Sequence, residues 1–452
     1  MTNSTTESLQ NLVPPSPPAH WLLGNLPEFK EDVLGFFLHC AREYGAITKI
    51  SLATKPAYLL TDPELIAEPL LHNYKNFIKN RFFWRHVEPI LGLGLLTSEG
   101  EFWRKQRRRA APAFHQQKLA AYTQVMVDYT QALLDGWQDG DALEANHEMM
   151  AVTSRIAGRT LFDAEVGEDE ERIGMAMDLF TTELSKRMVQ PFRIPSWLPT
   201  PGNRRWKRAV KEIDDLVYRF IADHRKNPQR DTLLSMLMQA EDEDGKHMSD
   251  KQLHDESITL FVAGHETTAL SLSWTWYLLS QNPQAEQALH EELDRVLGGK
   301  KPELEDIADL KYTSWVLKES MRIYPPAYMF GRQAVEACKI GQYEIPADAT
   351  LYFSTWSMHR DTRWFDQPDK FLPERWDNDF EKSLPRFVYM PFGAGPRTCI
   401  GERFALMEAV LILASIAQKY RLIYTADQAP KPFPSITLRP AGGVPVRLEA
   451  RC

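Results

Sequence analysis

Phe392-Gly393-Ala394-Gly395-Pro396-Arg397-Thr398-Cys399-Ile400-Gly401 is the stretch on which the reading of this chain turns. It sets one cysteine among glycines and turn-forming residues, directly ahead of a new helical pattern. Gly393, Gly395 and Gly401 remove side chains where the backbone would approach a flat partner, so the sulfur meets a metal unobstructed. A cysteine taken by itself is ordinarily a small buried apolar residue. Here the spacing of its neighbours argues for a ligand.

Working outward, the composition suits a large catalyst. The 452 residues are 43% hydrophobic and include 12 Trp, ample apolar area for a core that encloses a bulky group. A formal net charge of −8 gives no support to nucleic-acid binding. The cysteines at 40, 338, 399 and 452 form no CxxC pair, so neither a disulfide framework nor a zinc site is indicated, and a reducing, cytoplasmic setting is expected. Residues 1–18 read as a flexible, proline-rich segment. They hold no apolar run of about 20 residues and no basic leader, so no membrane anchor is expected. Residues 19–452 read as one catalytic domain.

The fold class is mainly α with a small β region. Ile47 to Ala53 and Ala57 to Thr61 predict a hairpin with Lys55-Pro56 at its turn. From about residue 100 to 326 the pattern is helical, interrupted at Pro191, Pro195, Pro199-Thr200-Pro201 and the acidic run Glu241 to Gly245. Strand-like stretches return at Phe330 to Val335, at Thr350 to Ser354 and after Arg421. The longest helical stretch, Ser249 to Ser280, spans about 45 Å at 1.5 Å per residue. Ser249 and Asp250 offer its N-caps, and Asn282-Pro283 ends it. Its middle reads Phe261-Val262-Ala263-Gly264-His265-Glu266-Thr267-Thr268, with an acid, hydroxyls and a glycine inside an apolar run. Gly264 weakens a helix by up to about 1 kcal/mol, and threonine hydroxyls bond carbonyls one turn back, so a local opening of the ladder is expected. His265-Glu266 resembles the start of the zinc motif H-E-x-x-H, but position 269 is Ala and that reading fails.

The cysteine loop matches, at every defining position, the F-x-x-G-x-R-x-C-x-G signature of the cytochrome P450 family, which the chain resembles over nearly its whole length. The resemblance implies the fold of that family, with haem b between the long central helix and the helix after the cysteine loop. Cys399 is then the axial thiolate and sole protein ligand of the iron, with Phe392 packed beside it and Gly401 following. Ala263, Gly264, Glu266 and Thr267 form the distal oxygen-binding groove, Glu266 and Thr267 relaying protons to O2. Glu319-Ser320-Met321-Arg322 is the E-x-x-R motif, completed by Arg375 into a buried charge network behind the haem. Trp103, Arg107, Arg332 and Arg397 are implied at the haem propionates, which guanidinium groups suit. The substrate pocket is placed at Phe82, Phe83, Phe261, Ala327, Met329 and Phe330.

The implied activity is insertion of one oxygen atom from O2 into a lipophilic small molecule, with fatty acid, terpenoid and steroid left unranked. No flavin or iron–sulfur pattern is seen, so electrons are expected from an external ferredoxin or flavodoxin-type donor. Its expected dock is the basic helix near Arg104 and Arg108, within a run of Arg104, Lys105, Arg107, Arg108 and Arg109 most of whose charges otherwise read as a solvated face. Two other readings stay open here. One is an enzyme of the same fold that uses peroxide or rearranges a hydroperoxide. The other is a non-catalytic haem carrier or gas sensor.

Overall fold

The computed structural model describes residues 13–52, 55–163, 197–227, 230, 232–242 and 244–451. Helices dominate, and the longest described one runs from Asp250 to Gln281 through the middle of the molecule. Its start follows from sequence: Ser249 accepts from the Gln252 N–H while the Gln252 side chain accepts from the Ser249 N–H, a reciprocal capping box. Asp250 lies inside the first turn, where its charge suits the helix dipole. The helix stops at Asn282, which the following Pro283 drives out of the helical region, to φ −131° and ψ 75°.

Two apolar cores meet on this helix. Its C-terminal half packs with helices Gln116–Leu134, Ala145–Phe162, Lys311–Ile323 and Glu402–Lys419. Trp274 is fully buried there, stacked on Tyr324 at 3.9 Å and donating from its indole to the Leu438 carbonyl at 2.9 Å. Truncating such a residue costs about 3–5 kcal/mol. Its N-terminal half packs with helices Pro201–Lys226 and Leu233–Gln239 and with Val87, Leu91, Leu95 and Trp103. Thr200 caps the Pro201–Lys226 helix, so the Pro199-Thr200-Pro201 break is a helix start. Pro191 and Pro195 lie outside the described residues.

Five strands make the largest sheet, in the order 47–52, 55–60, 350–353, 330–334, 77–78, with only the pairing of 55–60 to 350–353 parallel. Lys55 and Pro56 are not turn residues: they pair with Leu52 and Ser51. Pairing to 350–353 begins one residue later, at Ala57, so the missing N–H of Pro56 costs no bond on that side. A second hairpin, Lys431–Pro434 with Leu438–Ala441, folds back toward the central helix. Part of the expected N-terminal tail is docked: Pro14 and Pro17 are buried, the Pro15 carbonyl accepts from Lys49 N–H, and the Pro18 carbonyl from the Asn25 side chain. Residues 1–12 lie outside the described set. Among the described residues no helix is long and apolar enough to cross a membrane.

Candidate functional site

The cysteine loop is built by short-range hydrogen bonds. Gly393 N–H donates to Met390 O at 3.1 Å, Thr398 N–H to Gly395 O at 3.1 Å, and Cys399 N–H to Phe392 O at 2.9 Å. Gly395 has φ 72°, and a Cβ there would lie 2.1 Å from the Leu70 carbonyl oxygen. The close approach this glycine permits is thus to the protein's own backbone, in the helical turn Glu68–His72. Gly393 also has φ 72° but faces open space, so it serves the turn alone. A Cβ at Gly401 would meet only ordinary contacts with Phe114 at 3.7 Å and the Cys399 sulfur at 4.0 Å.

Cys399 is exposed at its surface yet sits deep in the protein, the signature of a side chain facing an internal cleft. Burial raises its thiol above the usual range, opposed by the Gly401 N–H and the Arg107 charge, which favour thiolate. A coordinated metal would remove that proton outright. Among the described residues no cluster of three or more His, Cys, Asp or Glu could hold a metal ion.

Beside the loop lies a concentration of positive charge. Arg397 stacks over Trp103 at 4.0 Å, donates to Ser98 O at 2.9 Å and pairs with Glu99. Arg107 lies over the same indole at 6.0 Å. Burial, with Arg397 nearby, pushes Arg332 down to about 10, and burial likewise brings Arg397 to about 10. Lys79 belongs to the same group. Burial and the charges of Arg397 and Arg332 hold its ammonium well below the usual range, with Glu99 and Glu256 opposing. It donates to the Leu96 carbonyl. Sequence reading missed Lys79, because a lone lysine between a short strand and a helix carries no motif. Mutually repelling buried cations, with Glu99 as the paired carboxylate, form a cradle that the carboxylates of the expected haem would relieve.

The central helix supplies a third wall. Ala263 is exposed, Gly264 and Thr267 are half-buried, and a Cβ added at Gly264 would meet no atom within 4 Å. The expected opening of the helix does not occur: it stays α-helical throughout, and Thr267 and Thr268 donate to the carbonyls of Ala263 at 2.9 Å and Gly264 at 3.3 Å without displacing the ladder. His265 is buried, its ring Nδ1 hydrogen-bonded to Phe261 O at 2.9 Å. Glu266 does not meet Thr267. Its Oε1 accepts from Thr437 Oγ1 at 2.7 Å and from Arg439 Nε at 3.0 Å and Nη2 at 2.7 Å. Thr268 also lies near Glu408, whose two carboxylate oxygens have no hydrogen-bond partner of good geometry among the described residues; burial pushes its acid up to about 8, with the nearby Thr268 hydroxyl opposing. No sequence signal marks Glu408, since its place in an apolar helix shows only in the packing.

Behind the loop, Glu319 and Arg322 are fully buried and joined by two bonds of 2.9 Å. Glu319 also accepts from Arg375 Nε at 2.9 Å, Leu372 N–H at 3.0 Å and Trp376 Nε1 at 2.9 Å. Arg322 donates onward to the carbonyls of His359, Pro368 and Lys370. His359 is the link to the loop, its Nε2 accepting from Met390 N–H at 3.0 Å. Burial and two neighbouring arginines push this imidazole down to about 3, so it stays a neutral acceptor.

The pocket candidates divide. Phe83 is half-buried against the N-terminal core, Met329 and Phe330 are half-buried, and Ala327 is exposed. Phe330 stacks on Phe353 at 5.0 Å. Phe261 is 2% exposed, between Phe162 and His265, which places it in the core. The Phe82 side chain lies outside the described residues.

With this geometry in place, comparison with known proteins is informative. The family model described as Cytochrome P450 matches residues 14–444. The cyclooctat-9-en-7-ol 5-monooxygenase of Streptomyces melanosporofaciens is 37% identical over 407 residues, 89% of this chain and 86% of that protein. The cyclooctatin synthase of the same organism is 35% identical, covering 90% of each chain. The pentalenene oxygenase of Streptomyces avermitilis is 33% identical, covering 92% of each.

Proposed function

The chain belongs to the cytochrome P450 family as a haem-thiolate monooxygenase with haem b as cofactor, and from that premise we propose that its substrate is a cyclic, alkene-bearing lipophile of the terpenoid kind and its electron donor a separate ferredoxin or flavodoxin-type protein. The substrates printed in the names of two relatives favour the terpenoid among the three classes the sequence left open. The observation that carries the site assignment is the pairing of one deep, cleft-facing cysteine with a cradle of repelling cations.

Bound haem supplies reductive activation of O2 and oxygen transfer to a C–H bond, with thiolate electron density assisting O–O cleavage. The chain's own residues do the rest. Cys399 would hold the iron, with Gly401 N–H directed at its sulfur, while Arg397, Arg332, Arg107 and Lys79 would hold the propionates. Ala263 and Gly264 leave room on the central helix, and Thr267 carries an exchangeable proton at Oγ1. The apolar walls, including Phe83, Leu96 and Val262, keep water out and accept a lipophile.

The carbon monoxide difference spectrum of the reduced protein tests the ligand. A thiolate signature is expected, lost in Cys399→Ser; a colourless protein, or a serine variant with the signature intact, overturns the reading. Thr267→Ala is expected to keep that spectrum while diverting electrons to hydrogen peroxide. An enzyme driven by peroxide, or a sensor, would be indifferent. On the basic helix Arg109 is turned inward, paired with Asp242 at 2.9 Å, whereas Arg108 is exposed and Arg104 half-buried. Charge reversal at Arg104 and Arg108 should therefore slow reduction in a salt-dependent way, and unchanged rates would remove that dock.

A further inference from the structure

His254, in the first turns of the central helix, joins the two elements that close over the N-terminal core, one directly and one through its neighbour. It is 6% exposed. Its ring Nε2 lies 3.0 Å from Asp214 Oδ1, on the helix Pro201–Lys226, and its Nδ1 lies 3.0 Å from Asp255 Oδ1. The Tyr218 ring, one turn along from Asp214, stacks on the imidazole at 4.5 Å. Asp255 in turn holds segment 92–98: its Oδ2 accepts from Leu93 N–H at 2.9 Å, and the next carboxylate, Glu256, accepts from Leu95 N–H at 2.9 Å. Two glycines let that segment press onto the helix, since a Cβ at Gly92 would lie 2.0 Å from the Asp255 carboxyl and one at Gly94 2.4 Å from the Asp255 carbonyl oxygen. Leu95 and Leu96 of the segment share one apolar cluster with Leu216 and Phe220 of the helix and with Val262.

We infer that His254 is a positioning residue whose doubly protonated ring fastens the helix Pro201–Lys226 and segment 92–98 to the central helix as one roof over the substrate pocket, and that loss of one ring proton to solvent frees the roof and speeds substrate exchange. This rests on the monooxygenase reading, which puts the pocket beneath these elements. The fastening needs the cation. An imidazolium has two N–H donors for its two carboxylates, whereas a neutral ring has one and must turn a lone pair toward the other. Burial alone would lower the ring, but Asp214 and Asp255 outweigh it and hold it up at about 8, against an ordinary 6.5. The other groups facing this site are the Tyr218 phenol from the packed helix and Lys251 from the central helix, whose ammonium donates to Asp255 at 2.9 Å; the segment presents its Leu93 N–H. Because the folded ring titrates above the free one, the fastening is complete below 6.5 and is lost as pH rises through about 8. That interval limits the gain in the open population to about 30-fold.

Two measurements on the holoenzyme, from about pH 6.5 to about pH 9, test this. Hydrogen exchange of the Leu93 amide, expressed as protection so that the intrinsic effect of pH cancels, should show protection falling about tenfold as pH rises. Release of phenylimidazole, an aromatic azole that ligates haem iron, should speed by a similar factor when followed by its optical shift. His254→Arg keeps a permanent cation between the two carboxylates and should show slow release and high protection throughout. His254→Gln should show the released values at every pH, and the parent with the arginine variant decides the matter if the glutamine variant does not fold. Glu256→Gln should keep the response, which separates it from that neighbouring acid, pushed up to about 7 by burial. Protection or azole release constant within about twofold across the range in the parent, or a pH response that survives in His254→Arg, overturns the proposal. A carbon monoxide spectrum without a thiolate signature would instead sink the underlying function, and Leu93 protection would still report the state of the latch.

Discussion

Replacing Glu319 by glutamine keeps its volume and removes its charge, and the structure sets the consequence. The native carboxylate accepts five hydrogen bonds of 2.9–3.0 Å, from two atoms of Arg322, one of Arg375, the Leu372 N–H and the Trp376 indole. An amide offers one oxygen and one NH2, so whichever way it turns, a donor faces donors. Arg322 keeps its carbonyl acceptors at His359, Pro368 and Lys370, but both guanidiniums lose the carboxylate that neutralises them. Breaking a buried pair from one side costs about 3–5 kcal/mol, against a total of about 5–15 kcal/mol for a folded domain. The effect should extend to the cysteine loop, because Arg322 grips the His359 carbonyl while the His359 ring holds Met390 N–H. Urea unfolding of the haem-free variant should show the stability loss, and gel filtration of the loaded variant should show haem loss. A loss below about 1 kcal/mol with full haem retention would refute the view that this network supports the loop.

Three further outcomes follow from particular contacts. Gly395→Ala forces a side chain into positive φ and against the Leu70 carbonyl, so a loss of at least about 1–3 kcal/mol and defective haem binding are expected in the same two assays. Lys79→Met removes a buried cation repelled by Arg397 and Arg332, so the haem-free protein should hold or gain stability, by about 1 kcal/mol, while haem affinity falls. A parallel loss of both would show that Lys79 is structural only. Glu408 titrates near 8 in the fold against 4.5 in the unfolded chain, so the native state binds the extra proton between those values. Stability should therefore fall as pH rises through that window, by up to about 1.4 kcal/mol per unit, and the slope should flatten in Glu408→Gln, as read from unfolding midpoints at fixed ionic strength.

Much of this was legible locally. The central helix announces itself through Ser249, Gln252 and Pro283, and the cysteine loop through its glycines, because caps and turns are settled by residues a few positions apart. The pairing of Glu319 with Arg322 is likewise a matter of three-residue helical spacing. The hairpin was placed correctly but its turn was not, since Pro56 sits in the strand where the neighbouring strand makes no demand on its nitrogen.

What the sequence by itself determined is therefore the set of elements and the chemistry of the ligand loop, both governed by short-range geometry. Only the tertiary structure decided where buried charges go. It turned Glu266 toward Arg439 and Thr437, placed Lys79 among arginines more than 250 residues away, and left Glu408 in an apolar core with no hydrogen-bond partner of good geometry among the described residues. A buried charge is governed by which partners and how much solvent surround it, and those are properties of the packed chain that no local pattern of residues contains.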